Sequence, residues 1–441
     1  MLPKEVEYGD LVRVIKGSEV IEGIVLPSTE FSSEDIIVLK LPNGYNIGVS
    51  TRGARFEVLR KGAVRISPEV PMGRTAISGN GDLRISLIST GGTIVSKVEY
   101  ETGAVKPAIT AEELVDMVPE LLKHIKELEV VELYRLFSED ITPRHWEKIS
   151  AAVADKVMEG YDGVVIAHGT DTMSFTASAL AFALRNLPVP VILVGAQRSS
   201  DRPSSDTILN LRACAITVRN APFGEVVVAM HGSTSDRYVL IHRGVKVRKM
   251  HSSRRDAFQS INDLPLARVG FPEESFTLIN SRYIPRSSRE MFNVLNRFSS
   301  KVFLLKVFPG IDCSIIDVIS SKGYRGLVIE GTGLGHIRNE CVETIRRAVE
   351  GGLVVVMATQ TLFGRVNMKV YTTGRRLIKA GVIPALDMLP EVALVKLSWL
   401  LGNYRDRDEV VKLFLSNIAN EINELHPHYL FPRWYHEGGV R

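Results

Sequence analysis

Residues 83–93 read LRISLISTGGT, an apolar run of strand length that ends in hydroxyl groups and glycine. The same arrangement returns at residues 163–172, where the apolar run GVVIA is followed by HGTDT. In open sheets of parallel strands, ligands bind beyond the carboxyl ends of the strands. The two segments therefore predict an α/β fold with a polar site at one edge of its sheet.

Apolar runs alternate with helix-like segments over most of the chain. In a first unit, strands are predicted at 83–89, 130–136, 163–167, 190–194 and 225–230, and helices at 143–159, 172–187 and 206–219. A shorter second unit has predicted strands at 302–308, 326–330 and 353–358, and helices at 314–321, 339–349, 390–401 and 407–418. Such alternation implies a parallel sheet that helices cover on both faces.

The first 70 residues differ in sequence pattern from the rest of the chain. Short β-branched stretches, separated by Gly, Pro, Asn and Ser, predict strands at 11–15, 20–26, 36–41 and 45–50 and a small antiparallel barrel. Nine Lys/Arg and ten Asp/Glu residues give this segment a net charge of 9 − 10 = −1. An electrostatic nucleic-acid module should be basic, so a docking or stabilising role is expected for the barrel instead.

The predicted plan has five parts. A small β-barrel domain occupies 1–70, a linker 71–82, a large α/β domain 83–297, a smaller α/β domain 298–425 and an aromatic tail 426–441. The predicted fold class is α/β, with a two-domain parallel-sheet core preceded by a small all-β barrel domain.

The composition is that of an ordinary soluble protein, with 45% hydrophobic and 24% charged residues among 441 and a net charge of +4. That mild charge permits a polyanionic partner without requiring one. The start of the chain lacks the pattern of a signal peptide, and no apolar run approaches the roughly 18 residues that suggest a membrane span. We therefore expect a cytoplasmic protein with no membrane contact.

The three cysteines, Cys214, Cys313 and Cys341, lie far apart in the sequence and are odd in number. They show neither the spacing of a disulfide framework nor that of a metal site. The expectation is buried thiols in a reducing compartment.

Three polar loops follow consecutive predicted strands: Thr90-Gly91-Gly92-Thr93, Ser138-Glu139-Asp140 and His168-Gly169-Thr170-Asp171-Thr172. Each loop alone is weak evidence, because Ser, Thr and Asp also cap helices. Three such loops in consecutive units predict hydroxyls and carboxylates at one sheet edge.

These motifs, with VGAQR at 194–198 and the segment around Lys249, resemble the bacterial-type L-asparaginase/glutaminase family over residues 83–420. The resemblance implies an asparaginase-like core in which Thr93 is the nucleophile that forms an acyl-enzyme. It also implies that Tyr100 is a lid tyrosine contacting this hydroxyl, and that Thr170, Asp171 and Lys249 form a relay. By the same resemblance, Ser138 and Asp171 hold the amino-acid head of the substrate. Glu139, Gly92 and Gly169 are also expected to bind the substrate.

The chemistry agrees with these roles. A threonine hydroxyl needs a neighbouring base to become a good nucleophile, and a lysine is a base only when its pKa is lowered. Lys249 lies in 241–256, which holds six basic residues and one acidic residue. From composition alone it could be one more solvated cation, but its spacing to Phe258 matches the family.

Three further features bear on the site. Backbone N–H groups of Gly91, Gly92 and Gly169 could stabilise an oxyanion, and residues 93–103 are expected to form a mobile lid. Glu139 stands where well-known secreted asparaginases carry glutamine, and its carboxylate could pair with the substrate α-ammonium.

Other sequence patterns do not indicate a nucleotide-binding or metal-binding site. Gly331, Gly333 and Gly335 lack the spacing of a dinucleotide fingerprint, and no Gly-rich loop ends in Gly-Lys-Ser/Thr. No cofactor is therefore expected in this chain. His426 and His428 are expected to be surface residues, because no Cys or carboxylate completes a metal set.

The barrel joined to the asparaginase-like core resembles the D subunits of archaeal glutamyl-tRNA(Gln) amidotransferases. This resemblance implies that glutamine is hydrolysed here and that its ammonia passes to a partner E subunit, which uses ATP and Mg²⁺ to amidate Glu-tRNA(Gln). It also implies a homodimer through the asparaginase-like cores, in a heterotetramer. Two alternatives stay open: a free-standing cytoplasmic L-asparaginase with an extra N-terminal module, and a scaffold protein that has lost activity.

Overall fold

The computed structural model describes residues 5–26, 35–43, 45–62, 74–92, 96–98, 105–107, 118–198, 204–425 and 430–431. An N-terminal all-β unit, a large α/β domain and a smaller α/β domain follow one another along the chain.

The N-terminal unit is one five-stranded antiparallel sheet. Its strands are β1 (Leu11–Lys16), β2 (Glu19–Leu26), β3 (Ile36–Lys40), β4 (Asn46–Ser50) and β5 (Arg55–Arg60), in the order β4-β3-β2-β1-β5. Side chains alternate along β1, so that Val12 and Val14 are buried while Arg13 faces outward and donates to Glu22. The predicted all-β unit is thus present, with β5 as an additional strand.

The described residues of the large domain contain strands β6 to β20 and three α-helices. The strands are β6 (Arg74–Ser78), β7 (Leu83–Ser89), β8 (Ser96–Val98), β9 (Val105–Pro107), β10 (Ile125–Glu132), β11 (Gly163–Ala167), β12 (Leu184–Arg185), β13 (Val191–Val194), β14 (Val226–His231), β15 (Tyr238–Arg243), β16 (Val247–Lys249), β17 (Phe258–Ser260), β18 (Ala267–Gly270), β19 (Ser275–Leu278) and β20 (Asn293–Val294). The helices are α1 (Pro143–Met158), α2 (Met173–Ala183) and α3 (Thr207–Asn220).

Nine of these strands form one sheet in the order β19-β18-β15-β14-β13-β11-β7-β10-β6. Its centre, β10-β7-β11-β13-β14, is parallel, as the alternating pattern predicted. Antiparallel strands extend it on both sides, and β15, β18 and β19 were not predicted. Short pairs β8–β9, β12–β20 and β16–β17 complete the unit.

Helices cover both faces of the large sheet. On one face, Ile149 of α1 and Leu180 of α2 pack on Val164 and Ile166 of β11. On the opposite face, α3 packs on the other side of the same strands. The parallel strands are therefore buried on both faces, which explains their continuous apolar sequence.

The smaller domain is a parallel sheet in the order β21-β22-β23-β24. Its strands are β21 (Val302–Lys306), β22 (Gly326–Gly331), β23 (Val354–Thr359) and β24 (Ile383–Pro384), and its helices are α4 (Ser314–Ser321), α5 (Cys341–Glu350), α6 (Thr372–Lys379), α7 (Pro390–Asn403) and α8 (Arg407–Leu415). Helix α7 lies between the two domains, where Trp399 stacks on Phe182 of α2 at 5.8 Å. One continuous core therefore joins both domains.

The linker predicted at 71–82 is wrong for residues 74–78, which form β6. Ile77 lies opposite Leu128 of β10 and packs against the core of the large domain. Gly79 and Gly81 are of a residue type common in linkers, but here they allow close backbone packing. A Cβ on Gly81 would lie 2.1 Å from the carbonyl carbon of His124.

Two other elements end at residues different from the predicted ones. The strand predicted at 130–136 is β10, which ends at Glu132, because the N–H groups of Leu133 and Tyr134 turn to the carbonyl oxygen of Ser89. Helix α2 ends at Ala183 rather than at residue 187, because Leu184 leaves the helix to pair with β20. Apolar side chains continue across both boundaries, so the pattern alone could not place them.

The expectation of three thiols is also wrong, because Cys313 and Cys341 form a disulfide with a Cα–Cα distance of 5.0 Å. Cys313 precedes α4 and Cys341 begins α5, and these helices share one apolar core. A separation of 28 residues conceals this contact in the sequence. Cys214 is a buried free thiol, and burial raises its pKa.

Helices of the described residues are all too short or too polar to cross a membrane. The C-terminal tail is described only at residues 430–431, where the ring of Phe431 meets Phe363 edge-on at 5.5 Å. The histidines named above, His426 and His428, lie outside the described residues, as does His436.

We expect that Cys313→Ser lowers the free energy of unfolding by about 3.5 kcal/mol, because the disulfide closes a loop that restricts the unfolded chain. Denaturant titration of the oxidised wild type and the variant measures this difference. A reducing agent should bring the wild type to the stability of the variant and leave the variant unchanged. Equal stability of the two oxidised proteins would contradict the assignment.

Candidate active site

The loops that follow β7, β10 and β11 pack backbone against backbone. Gly92 has a positive φ of 90°, and a Cβ there would lie 2.4 Å from the nitrogen of Gly169. A Cβ on Gly169 would in turn lie 2.8 Å from the Cβ of Ser138. Only glycine permits these approaches. The three polar loops therefore meet at one edge of the sheet.

Lys249 reaches this edge from the hairpin β16–β17. Its Nζ donates to Oγ1 of Thr170 at 2.9 Å and to Oδ1 of Asp171 at 2.6 Å. Thr170 is buried and the lysine side chain is only 13% exposed, whereas the Asp171 side chain is 69% exposed. Lys249 is thus no solvated member of a basic run: it holds a hydroxyl and a carboxylate in one cluster.

A buried hydrogen-bond chain supports the loop before Thr170. The indole nitrogen of Trp146 donates to Oγ1 of Thr176 at 3.1 Å, and this hydroxyl lies 2.8 Å from Nε2 of His168. Nδ1 of His168 lies 2.6 Å from the carbonyl oxygen of Gly169. Together the contacts assign the ring proton to Nδ1, which donates to Gly169 while Nε2 accepts from Thr176. Burial lowers the pKa of His168 from 6.5 to about 4, so the ring is neutral.

Ser138 begins a single 3-10 turn, Ser138–Asp140, at the carboxyl side of β10. Oγ1 of Thr172 donates to the carbonyl oxygen of Ser138 at 2.6 Å, which ties this turn to the loop after β11. Ser138 is buried, and Glu139 beside it is exposed. A serine hydroxyl and a carboxylate therefore stand next to Thr170 and Asp171.

A fourth loop, after β13, packs on Thr170 as well. A Cβ on Gly195 would lie 2.8 Å from Cγ2 of Thr170. The buried carboxylate of Asp206 accepts the backbone N–H groups of Gln197 and Arg198, both within 3.1 Å. The sequence had indicated Asp206 only as the start of a helix. Its burial, which no sequence pattern shows, makes it a support for the site.

A pocket of about 160 Å³ adjoins Lys249 between the two domains. From the large domain it is lined by Asp171, Phe175 and Lys249 among others, and the smaller domain contributes the carboxylates of Glu330 and Glu391. Both glutamates are buried, and burial raises the pKa of Glu391. Within the described ranges, no group of three or more His, Cys, Asp or Glu side chains could hold a metal ion.

The structure brings together most of the predicted site residues. The residues that meet at the sheet edge are Gly92, Ser138, Glu139, Gly169, Thr170, Asp171 and Lys249. Thr93 and Tyr100 lie outside the described residues, although Thr93 directly follows Gly92 in the sequence. Geometry shows proximity, and the catalytic and binding roles stay predictions.

Family models cover the three units separately. "Asparaginase, N-terminal" matches residues 84–281, "Glutaminase/Asparaginase C-terminal domain" matches 301–414 and "GatD N-terminal domain" matches 6–59.

Solved L-asparaginases share the fold. The thermostable L-asparaginase from Thermococcus kodakarensis is 33% identical with a TM-score of 0.69, covering 77% of this chain and 99% of that chain. L-asparaginase I from Vibrio cholerae O1 biovar eltor is 30% identical with a TM-score of 0.67, covering 78% of this chain and 100% of that chain. The fold and the meeting of the strand ends place the chain in the class of asparaginase-type amidohydrolases.

Curated relatives span nearly the whole chain, including the N-terminal unit. The D subunit of glutamyl-tRNA(Gln) amidotransferase from Metallosphaera sedula is 51% identical over 432 residues, which are 98% of this chain and 96% of the relative. Its counterpart from Sulfurisphaera tokodaii is 49% identical over 435 residues, or 98% of this chain and 95% of the relative. The chain belongs to the family of glutamyl-tRNA(Gln) amidotransferase D subunits.

We expect that Gly169→Ala lowers amide hydrolysis by about a hundredfold, because the new methyl group separates the loops after β10 and β11 and misplaces reacting groups. The rate of ammonia release measures the loss, with circular dichroism as the check on folding. Gly351→Ala is the matched control, since its Cβ would meet only atoms at 3.3 Å or beyond. Normal activity of a folded Gly169→Ala protein would show that the contact is dispensable.

The buried His168 should make the protein less stable in acid. Its folded pKa of about 4 lies below its ordinary 6.5, so the unfolded chain binds the extra proton between these values. Stability is then complete above pH 6.5 and falls as the pH drops toward 4. Between pH 7 and pH 5 we expect this histidine to account for about 2 kcal/mol of lost unfolding free energy.

Denaturant titrations of the wild type and His168→Gln at both pH values measure this contribution. The loss between pH 7 and pH 5 should be smaller in the variant by that amount, whatever its absolute stability. An equal loss in both proteins would mean that His168 is not buried in its neutral form.

Proposed function

We propose that this chain hydrolyses L-glutamine through an acyl-enzyme on Thr93 and is the ammonia-producing component of a tRNA-dependent amidotransferase. One observation supports the proposed hydrolysis of glutamine. Lys249 contacts Thr170 and Asp171 at the sheet edge where Thr93 follows Gly92. A base and a hydroxyl relay beside a glycine that a threonine follows in the sequence suit acyl transfer.

In the first half-reaction, the Thr93 hydroxyl oxygen attacks the side-chain amide carbon of glutamine. Its proton passes to the relay of Thr170 and Lys249, whose amine is the base. Backbone N–H groups at the glycine edge stabilise the oxyanion of the tetrahedral intermediate. Collapse of that intermediate breaks the C–N bond, and the leaving nitrogen takes a proton from the relay. Ammonia and a γ-glutamyl ester of Thr93 result.

In the second half-reaction, water attacks the ester carbonyl and the relay takes up a proton from this water. The C–O bond to Thr93 breaks, the threonine hydroxyl is restored and glutamate leaves. Within each half-reaction, Asp171 stabilises the ammonium form that Lys249 takes between accepting the proton and returning it, because its carboxylate lies 2.6 Å from Nζ.

Side chains at the same edge of the sheet bind the amino-acid head of the substrate. The hydroxyl of Ser138 and the carboxylates of Glu139 and Asp171 stand at neighbouring loop ends. Carboxylates suit the α-ammonium of an amino acid, and a hydroxyl suits its α-carboxylate. Glu139 adds a second negative charge where the secreted asparaginases carry an amide.

The destination of the ammonia is a partner E subunit. We propose that this partner activates the glutamate of Glu-tRNA(Gln) with ATP and Mg²⁺ and converts it to Gln-tRNA(Gln), while this chain holds no cofactor. The D subunits that match over 98% of the chain support this arrangement by their name. The N-terminal unit would dock the partner, and two asparaginase-like cores would form the homodimer of a cytoplasmic heterotetramer.

The alternative of a free-standing L-asparaginase is less well supported. The similar L-asparaginases cover 77% or 78% of this chain, whereas the D subunits cover 98%. The inactive-scaffold alternative also fits poorly, because the contacts among Thr170, Asp171 and Lys249 are in place.

Thr93→Ala should abolish ammonia release from glutamine, because no hydroxyl remains to form the ester. Lys249→Met should reduce the rate of ammonia release at least about a thousandfold, because the base is removed; losses of this order are seen for other catalytic groups. Ammonia release by the chain with its E subunit measures both. Lys412→Met, a surface lysine of α8, is the matched control and should keep full activity. Substantial turnover by Thr93→Ala would mean that another residue is the nucleophile.

The amidotransferase part has its own test, which compares ammonia release with glutamine and asparagine, with and without the E subunit and Glu-tRNA. Glutamine turnover that rises with the partner and tRNA is expected. Strong asparagine turnover by the lone chain, unchanged by the partner, would favour the free-standing asparaginase.

A further inference from the structure

Lys249 stands on a hairpin that has little hydrogen bonding of its own. Strands β16 and β17 contain three residues each and, in the part of the chain that the structure describes, pair with one another alone. Isolated two-stranded hairpins are marginally stable in water. The position of Lys249 must therefore depend on what holds this hairpin from outside.

A buried ion pair joins the start of the hairpin to the smaller domain. Nζ of Lys246 lies 2.7 Å from Oδ2 of Asp387, and each of these side chains is 1% exposed. The Asp387 carboxylate also accepts the backbone N–H and the side-chain amide of Asn423, at 3.0 and 2.8 Å. On the other strand, the N–H of Ile261 donates to the carbonyl oxygen of Lys246 at 2.7 Å.

A second ion pair joins the residue next to the relay lysine to α7. Nη1 of Arg248 donates to Oε2 of Glu391 at 3.0 Å, and Glu391 is buried at the start of that helix. Beyond β17, the side chain of Asn262 bonds to the backbone of Gly364 in both directions, at 2.9 and 3.1 Å. Both ends of the hairpin are thus attached to the smaller domain.

We propose that Asp387 and Glu391 of the smaller domain are positioning residues for the amidohydrolase reaction: through Lys246 and Arg248 they fix the place of Lys249. The inference rests on the proposed function, because it assigns Lys249 to the relay. Displacement of a catalytic group by about 1 Å can reduce a rate a hundredfold. The site is therefore completed by the domain that contributes no residue to the relay itself.

A purely structural role is the competing explanation, and the chain offers a matched control. Lys396 and Glu421 form another buried ion pair, with both side chains at 0% exposure. Lys396 also donates to the carbonyl oxygens of Phe414 and Ser416, at 2.8 and 2.6 Å. Its hydrogen-bond partners Phe414, Ser416 and Glu421 lie in α8 or after it, and none of them belongs to β16 or β17. Loss of this pair should affect stability alone.

The experiment compares Lys246→Met/Asp387→Asn with Lys396→Met/Glu421→Gln. Replacing both partners avoids an unpaired buried charge, which is the costly outcome of a single substitution. In the first double variant we expect kcat for glutamine to fall at least about tenfold while KM changes less than about twofold. In the second, both constants should stay near those of the wild type. Thermal unfolding of both variants, with the E subunit present in every assay, checks the fold.

A second readout does not require turnover. Lys249 that has left its partners should react faster with an amine-acetylating reagent, and mass spectrometry of the peptide carrying Lys249 measures this rate. Faster labelling only in Lys246→Met/Asp387→Asn supports the proposal. Equal kcat and equal labelling in the two double variants would overturn it. If the wild type itself releases no ammonia, the proposed function fails, and the labelling comparison still decides whether the ion pair positions Lys249.

Arg248→Lys and Arg248→Met test the second attachment. The lysine variant keeps a charge for Glu391 and should retain more kcat than the methionine variant, with similar KM in both. Equal kcat in the two variants would remove Glu391 from the proposal and leave Asp387.

Discussion

Neither Gly92 nor Gly169 can carry a side chain, because a Cβ on Gly92 would lie 2.4 Å from the nitrogen of Gly169 and a Cβ on Gly169 would lie 2.8 Å from the Cβ of Ser138. This backbone contact holds the carboxyl ends of β7, β10 and β11 together. The parallel order β10-β7-β11 brings the three loops to one edge, and glycine lets them touch. The polar groups of Ser138, Thr170 and Asp171 then stand in loops that follow buried strands, and a rigid scaffold of this kind keeps reacting groups in place. The neutral His168 beneath the edge fixes the carbonyl of Gly169 from the buried side.

The second domain completes this arrangement without adding to the relay. Lys249 comes from a short hairpin outside the nine-stranded sheet, and buried charges of the smaller domain hold the residues beside it. Helix α7 is packed between both domains, so the ion pairs sit at a junction with one continuous core. An enzyme built this way needs both domains to place a single base. The N-terminal unit has its own small core and distinguishes the family of this chain from the shorter L-asparaginases.

Much of the fold could be predicted from the sequence, because apolar runs report burial directly. Strands β7 and β11 and helix α4 have the predicted bounds. The linker predicted at 71–82 was wrong around Gly79 and Gly81, because these glycines allow close backbone packing next to a strand. The disulfide was hidden because two cysteines 28 residues apart meet only after their helices pack. The motif residues that the structure describes lie together at the sheet edge, whereas no local pattern indicates the burial of Asp206, Asp387 and Glu391.

The central claim is that Thr93, next to the glycine contact, carries the acyl group while Lys249 moves the proton. Rapid acid quenching of the enzyme during glutamine turnover, followed by peptide mass spectrometry, tests it most directly. The account predicts a γ-glutamyl group on the hydroxyl of Thr93 in the wild type and none in Lys249→Met. A γ-glutamyl group on Thr170, or turnover with no covalent adduct on any peptide, would contradict it.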